Sequence, residues 1–224
     1  MHPQTSIAAL GVAFALIACG SDVTPIPFDQ FVPTNAATAC DYLFRCCDAT
    51  ELRAAFTGAS PPVTTEPQCV TFVASAETSL LPDESIAAGR VTYDATAAAE
   101  CDAARRGAAC GEIEASAAAA CAHVFVGHVV TGGACRDAGD CTGAQPLCDG
   151  GTAATFGVCV ERAALGASCA DVPCRGDGHC DATHVCVALK ANGAACGSDG
   201  ECATFNCDSS TNVCSAVPAT CDGA

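Results

Sequence analysis

The sequence predicts a small disulfide-rich protein, in which an N-terminal α-helical domain stitched by disulfides precedes tandem cysteine-rich repeats of turns and short β-hairpins. Three observations lead to this fold class. The chain holds 21 cysteines in 224 residues, residues 37–131 are rich in alanine, and a Gly-x-x-Cys pattern occurs three times after residue 131. Repeats this poor in large apolar side chains need cross-links in place of a core.

The first element is an apolar run that ends at a cysteine. Residues 7–18 are twelve consecutive apolar or small residues. This length is typical of the hydrophobic part of an export signal and is too short to span a bilayer. We therefore predict a signal peptide over residues 1–18 and a location in the cell envelope, facing the periplasm or the cell exterior.

Cys19 is the predicted site of lipidation. The residues Leu16-Ile17-Ala18-Cys19 resemble the lipobox of bacterial lipoprotein signals, in which the thiol is acylated, for example with palmitate, and the chain is cut before the cysteine. The residues before the apolar run include no Lys or Arg, although such signals usually carry one or two. An ordinary secretory signal cut at the same site is therefore the alternative. With its lipid, Cys19 would attach the protein to a membrane.

Residues 19–36 are predicted to be the lipidated cysteine followed by a flexible spacer. This segment contains three prolines and shows neither a helical nor an alternating apolar pattern. The sequence after Cys19 contains no apolar run near the roughly 20 residues that a membrane helix requires.

The chain is acidic along its whole length, with 25 acidic and 9 basic side chains and a net charge of −16. Nucleic acid and anionic membrane surfaces repel such a protein, so no nucleic-acid partner is predicted. The sequence has no Trp and 2 Tyr, which leaves few flat aromatic platforms for sugar rings. We interpret the acidity mainly as a source of solubility, with capture of cations or of a basic partner as the alternative.

The number of cysteines is odd, which normally leaves one thiol to explain in an exported protein. Lipidation of Cys19 accounts for it, so that twenty cysteines remain for ten disulfides. Disulfides persist in oxidising compartments, whereas the same density in the cytosol would indicate zinc. The predicted disulfide cysteines are Cys40, Cys46, Cys47, Cys69, Cys101, Cys110, Cys121, Cys135, Cys141, Cys148, Cys159, Cys169, Cys174, Cys180, Cys186, Cys196, Cys202, Cys207, Cys214 and Cys221.

Residues 37–131 are predicted to be helical. Four apolar side chains between residues 37 and 56 follow the i, i+3, i+4, i+7 spacing of one helix face. They are Cys40, Leu43, Phe44 and Cys47. Further helices are predicted around residues 67–81 and 95–106. Cys46 lies off that face and is expected to have another partner, with a strained vicinal bridge to Cys47 as the less favoured alternative.

Residues 132–224 contain three units of four cysteines, each opened by Gly-x-x-Cys, and the same nine-residue gap separates successive units. The units are Cys135, Cys141, Cys148, Cys159; Cys169, Cys174, Cys180, Cys186; and Cys196, Cys202, Cys207, Cys214. The second half of a unit reads as a tight turn between short strands, so we predict small hairpins clipped by cysteines. Cys121 and Cys221 fall outside the units, and one of them is expected to tie the helical domain to the repeats. Spacing alone leaves the connectivity open.

The repeats resemble the Dickkopf N-terminal cysteine-rich domain, over about eighty residues. The resemblance depends on Cys135-Arg-Asp-Ala-Gly-Asp-Cys141, on Cys196-Gly-Ser-Asp-Gly-Glu-Cys202, and on the closing Val-Cys pairs that end at Cys159 and Cys214. That family includes secreted ligand modules and domains of bacterial lipoproteins. The second, colipase-like domain of the animal members has no counterpart here, so Wnt antagonism is not implied. The resemblance implies an extracytoplasmic binding or surface module.

Two local patterns in the second repeat resemble sites of chemistry. Residues 174–186 mix cysteines with His179 and His184 at spacings suited to zinc, but cysteines used in bridges do not bind metal. The Arg175-Gly176-Asp177 tripeptide is similar to an adhesive motif that also arises easily by chance. No metal or cofactor is predicted.

Three further pairs of residues have ordinary explanations. His123 and His128 would lie on opposite faces of a strand, which disfavours a shared site. The acidic pairs Asp137/Asp140 and Asp199/Glu201 match no calcium loop and are interpreted as solvated turns.

The sequence shows none of the local signatures of hydrolases, metalloproteases, phosphate loops or redox Cys-x-x-Cys motifs, so no enzyme is predicted. The predicted function is that of a membrane-anchored lipoprotein serving as a protein-binding or adhesive surface module. The alternatives are a structural envelope protein without a specific ligand and a disulfide-stapled protease inhibitor.

Overall fold

The computed structural model describes residues 23–152, 154–216 and 221. In this part of the chain the helices are α1 (Phe28–Cys46), α2 (Ala49–Ala55), α3 (Glu66–Thr78), α4 (Asp83–Ala87), α5 (Ala95–Arg106) and α6 (Ile113–Cys121). The strands are β1 (Val91–Tyr93), β2 (Phe125–Gly127), β3 (Ala134–Cys135), β4 (Pro146–Asp149), β5 (Gly157–Glu161), β6 (Gly178–Cys180), β7 (Cys186–Ala188), β8 (Cys207–Asp208) and β9 (Val213–Cys214). A disulfide-rich fold of helices and short antiparallel strand pairs is therefore confirmed.

The helical region, residues 28–127, is held together by disulfides between helices that pack against each other. Helix α1 packs against α3 and α5, and α5 packs against α6. Cys40–Cys69 joins α1 to α3, and Cys101–Cys121 joins α5 to α6. The buried side of α5 consists mainly of alanine, which permits close approach but buries little apolar area. The covalent links supply stabilisation that so thin a core lacks.

Helix α1 begins at Phe28, so the predicted flexible spacer is wrong for residues 28–36. Pro33 lies inside the helix and removes one backbone hydrogen bond. Phe28 and Phe31 offset this cost because both pack edge-on against Tyr93, with ring centroids 5.2 and 5.7 Å apart. Tertiary packing here outweighs local helix propensity.

The helix predicted over residues 37–56 is divided in two by a capping residue. The Asp48 side chain accepts hydrogen bonds from the backbone N–H groups of Thr50 and Glu51, at 2.6 and 2.8 Å. Glu51 in turn accepts from the backbone N–H of Asp48, which completes a capping box and starts α2 in a new direction. The helix predicted over residues 95–106 is confirmed, whereas α3 ends at Thr78, before the predicted end.

Each of the three repeats is closed by two bridges with the same connectivity, first cysteine to third and second to fourth. The bridges are Cys135–Cys148, Cys141–Cys159, Cys169–Cys180, Cys174–Cys186, Cys196–Cys207 and Cys202–Cys214. A hairpin forms the second half of each repeat, with β4 paired to β5, β6 to β7 and β8 to β9. The predicted hairpins are thus confirmed.

The glycine that opens each repeat has a backbone conformation that favours glycine. Gly132, Gly166 and Gly193 have φ of 86°, 81° and 87°. Each donates its backbone N–H to the carbonyl oxygen of the last cysteine of its own unit, at 2.8 Å in all three cases. The Gly-x-x-Cys pattern therefore reflects a turn that closes every repeat on itself.

Each repeat is joined to the segment before it by an isolated parallel β-bridge, a single pair of backbone positions. Val129, Ala163 and Lys190 each lie six residues before the first cysteine of a unit, and each pairs with the second cysteine of that unit. In the second and third units the pairing residue follows the last strand of the preceding repeat. In the first unit it follows β2, so the strand that ends the helical region takes the place of a preceding repeat.

The chain returns to its starting helix after the third repeat. Cys221 is bonded to Cys47, and the Cys221 backbone N–H donates to Glu51 Oε1 at 2.7 Å. Cys46 is bonded to Cys110, so the vicinal alternative is wrong. Cys221 is thus the cysteine that ties the repeats to the helical region. Within the described ranges, no helix combines the length and the apolar character needed to cross a membrane.

Candidate functional site

A cleft of about 510 Å³ lies where the helical region meets the first repeat. Its floor is formed by Phe31 of α1, Val91 of β1 and Phe125 of β2. Residues 80–82, which follow α3, form one rim, and residues of the turn 137–139 form the other. The cleft is therefore assembled from segments far apart in the sequence.

An aromatic cluster fixes the shape of the floor. The Phe31 and Phe125 rings are nearly perpendicular, with centroids 5.3 Å apart, and Tyr93 lies 5.5 Å from Phe125. The Tyr93 hydroxyl donates to the carbonyl oxygen of Ile26 at 2.7 Å, which orients its ring. Burial, aided by the nearby charge of Asp94, raises the pKa of Tyr93 and keeps it a neutral donor. Edge-to-face packing is a favoured arrangement of aromatic pairs, so the rings of this cluster hold one another in place.

One polar wall interrupts the apolar lining. Glu77, near the end of α3, accepts a hydrogen bond on Oε1 from the Asn35 side chain of α1, and Arg105 of α5 donates to Asn35 Oδ1. Glu77 Oε2 is covered and has no hydrogen-bond partner among the described residues. Desolvation raises the pKa of Glu77, and the Asn35 hydrogen bond and the charge of Arg105 offset this only in part. The wall is thus an acidic group in an apolar setting.

The rim on the α3 side carries an exposed apolar side chain. Leu80 is 80% exposed, although Leu81 and Pro82 beside it are partly covered. Pro82 disfavours a helical conformation at Leu81, and Leu80 lies at the mouth of the cleft. Across the cleft, the exposed Asp137 accepts from the backbone N–H of Gly139 at 2.6 Å.

A buried ion pair fixes the two sides of the cleft relative to each other. The Asp140 side chain has no exposed surface, and its Oδ2 accepts from Arg90 Nε at 3.0 Å and from the backbone N–H of Arg136 at 2.8 Å. Burial alone would raise the pKa of Asp140, but hydrogen bonds from Ser85, Arg136 and Arg90, with the charge of Arg90, hold it below its usual range. The carboxylate is therefore charged, and it is bound by Arg90 of the helical region and by Arg136 of the first repeat. We call the contact between these two parts of the chain the junction.

Two further contacts hold the junction together: a close approach of two backbone segments, and two arginine side chains that lie near one aromatic ring. A Cβ on Gly127 would lie 2.4 Å from the carbonyl oxygen of Gly139, so only glycine fits at that point. The Phe156 ring lies 5.4 Å from the Arg90 guanidinium carbon and 4.9 Å from that of Arg136. Arg136 also pairs with Glu84 of α4.

The structure does not group the other residues considered for chemistry into a site. His179 lies on β6, and His184 lies in the turn after it with φ of 60°. The close sulfur clusters in the repeats are bridged pairs, and disulfide sulfur is not a thiolate ligand. His123 precedes β2 and His128 follows it, where the ring of His128 contacts Thr92 Oγ1 at 2.9 Å.

The tripeptide Arg175-Gly176-Asp177 is engaged with the first repeat. Arg175 lies 3.9 Å from Glu161, and the Gly176 backbone N–H donates to the Gln145 side chain. Asp177 is exposed. The arginine and aspartate therefore have different surroundings.

The interpretation of both acidic pairs as solvated turns is wrong for Asp140, because Arg90 draws that side chain into the junction. Glu201 is likewise paired, with Lys190, and Asp199 accepts from the backbone N–H of Cys207. Asp137 alone of the four makes only a local cap in the described structure. A basic residue distant in sequence makes the difference at Asp140, which short-range spacing does not reveal.

All twenty cysteines predicted to form disulfides do so, while Cys19 lies outside the described residues. Ten bridges indicate an extracytoplasmic protein. The chain matches no family model, no curated protein and no solved structure.

Sequence reasoning missed the cleft residues Phe31, Asn35, Glu77, Leu80 and Phe125. The available signal was the apolar pair Leu80-Leu81 directly before Pro82, after the last residue of α3.

Proposed function

We propose that the protein is a lipoprotein of the cell envelope, anchored through Cys19, that binds another protein in the cleft between the helical region and the first repeat. The Leu16-Ile17-Ala18-Cys19 motif and the odd cysteine count support the anchor. The resemblance of the repeats to the Dickkopf N-terminal domain supports a binding role and remains a proposal.

The binding proposal depends on the exposure of Leu80, which is 80% exposed at the rim of a cleft whose floor is aromatic. A leucine in that position contributes little to the core, since its side chain remains in water. Covering it together with Phe31 and Phe125 would remove apolar area from water at about 25 cal/mol per Å². Aromatic residues are enriched at protein interfaces, so Phe31 and Phe125 suit a binding surface to which Leu80 adds apolar area at the rim.

The lining favours binding over catalysis. The described residues around the cleft supply two carboxylates, Glu77 and Asp137, and one amide, Asn35. They offer no nucleophile hydrogen-bonded to a base, which covalent hydrolysis requires. We therefore propose no enzymatic activity for this cleft.

Capture with matched variants tests the binding role. The oxidised full-length protein, Leu80→Ser and Phe205→Ser are each exposed to an envelope extract, and the recovered proteins are compared. Phe205 is 61% exposed on the third repeat, so its variant controls for the loss of an exposed apolar side chain elsewhere. We expect one protein to be recovered by the wild type and by Phe205→Ser, and about tenfold less by Leu80→Ser. Equal recovery by all three, or recovery of nothing, would count against the proposal.

Intact mass spectrometry of protein extracted from membranes tests the anchor. We expect an acylated N-terminal Cys19, no alkylation before reduction, and twenty alkyl groups after reduction, two for each of the ten bridges. A free, unmodified Cys19 at the N-terminus would show an ordinary secretory signal instead.

A further inference from the structure

We propose that the cleft selects a protein segment with a basic side chain next to a bulky aliphatic one, an inference that rests on the proposed function. The geometry points to this chemistry because the described lining combines an apolar floor with two carboxylates, Glu77 and Asp137, and contains no Lys, Arg or His. A segment of complementary charge and apolar character fits this combination.

The charge of Glu77 is not neutralised by direct contact in the described structure. No basic side chain in the described structure lies within ion-pair distance of Glu77. Arg105 is hydrogen-bonded to Asn35, and its charge acts on Glu77 from a greater distance. A carboxylate on an apolar wall acts over a longer distance than one in water, because the surrounding dielectric constant is lower. The net charge of −16 adds attraction for a basic partner at long range.

The shape of the cleft determines where the basic and the aliphatic side chains of the bound segment lie. The aliphatic stem of an arginine or lysine lies along the faces of Phe31 and Phe125, as such stems do on apolar surfaces. The cation then points to the Glu77 wall. Glu77 Oε2 is covered in the described structure, so direct contact with it requires rotation of the Glu77 side chain, whereas attraction across the cleft does not. A leucine or isoleucine beside the basic residue packs on Leu80.

Selection from a phage-displayed library of random heptapeptides provides the probe. The oxidised full-length protein is compared with Glu77→Gln, Leu80→Ser and Glu100→Gln. Glu100 lies exposed on α5, so its variant removes the same charge away from the cleft. We expect enriched peptides to pair Arg or Lys with an aliphatic residue, and this enrichment to persist with Glu100→Gln and to disappear with Leu80→Ser.

A synthetic copy of the enriched peptide, with citrulline in place of arginine, separates charge from shape. The wild type is expected to bind the arginine peptide about tenfold more tightly than the citrulline peptide, and Glu77→Gln to bind the two alike. Enriched peptides without a basic residue that depend on Leu80 but not on Glu77 would overturn the inference and leave protein binding intact. If no enriched peptide depends on either residue, both the inference and the proposed function fail.

Discussion

Arg90 and Asp140 form an ion pair, with Nε 3.0 Å from Oδ2, that links the helical region to the first repeat and leaves the carboxylate without exposed surface. The pair lies next to the cleft, and the backbone N–H of Arg136 donates to the same oxygen. Without this charge the two sides of the cleft would lose one of the polar connections between them.

Replacing Asp140 by Asn is therefore expected to destabilise the protein. The substitution keeps the size of the side chain but leaves the Arg90 side chain, which is 16% exposed, without its counter-ion. Breaking a buried ion pair typically costs about 3–5 kcal/mol, and the partial exposure of Arg90 places the expected loss near the lower end of that range. Denaturant unfolding with the disulfides intact measures the effect. Asp171→Asn, at an exposed carboxylate of the second repeat, is the control and should change the free energy of unfolding by less than about 0.5 kcal/mol.

Stability should fall at acidic pH for the same reason. The hydrogen bonds to Asp140 and the charge of Arg90 outweigh its burial and lower its pKa in the folded state. A carboxyl with a lowered folded pKa contributes stability above its unfolded pKa of about 3.9, and that contribution is lost as the pH falls through the folded value. Unfolding free energies of the wild type measured below about pH 4 should therefore approach those of Asp140→Asn. A constant gap between the two proteins down to the lowest pH would contradict this assignment.

Peptide binding by the cleft should weaken on acidification. Desolvation raises the pKa of Glu77, and a protonated Glu77 no longer attracts a cation. Affinity for the arginine peptide is therefore expected to fall as the pH drops through that raised pKa, while the citrulline peptide shows a flatter profile. Asp137 faces the same cleft, so Asp137→Asn is measured alongside to separate the two carboxylates. The effect is assigned correctly only if Glu77→Gln removes most of the pH dependence.

The opening glycines of the repeats should tolerate no side chain without a loss of stability. Gly193→Ala forces alanine to φ of 87°, which costs about 1–2 kcal/mol. Gly200→Ala is the matched control in the same repeat, because a Cβ there meets nothing within 4 Å and its φ lies outside the left-handed range. Thermal unfolding of the oxidised proteins measures the difference. Similar melting temperatures for both variants would show that the turn adapts.

A methyl group added at Gly127 in the junction should have a larger effect than one added at the opening glycines of the repeats. Gly127→Ala places Cβ against the backbone of residues 139 and 140, at 2.4 to 2.7 Å, and neither backbone segment can rotate away as a side chain would. We expect loss of peptide binding with all ten bridges still formed, as judged by mass after alkylation. Unchanged affinity would show that the cleft does not depend on this contact.

Much of the fold could be predicted from local sequence signals. Helix α5 lies where the alanine pattern places it, since Asp94 caps its first turn and Gly107 follows its last residue. The hairpins follow from turn residues between cysteines. The pairing of the cysteines could not be predicted, because six or more cysteines at regular spacing permit many connectivities that local geometry alone does not separate.

The cleft could not be predicted, because its parts meet only through tertiary packing. Phe31 falls in a proline-containing segment that resembles a linker, and Glu77 looks like one of many exposed acids on a helix. Asp140 has the same local pattern as a solvated turn until Arg90, fifty residues earlier, is placed beside it. Sequence spacing reports on neighbours along the chain, whereas these contacts depend on how the first repeat docks on β2.

The bond between Cys47 and Cys221 closes most of the chain into a covalent ring that includes all three repeats. A protease that cut one exposed loop within that ring would open the backbone but release no fragment, because both new ends would stay attached through the bridge. Such a nicked protein would run as a single species under non-reducing conditions and separate only after reduction. A protein facing extracellular proteases would thus keep its repeats attached to its helices after being cut.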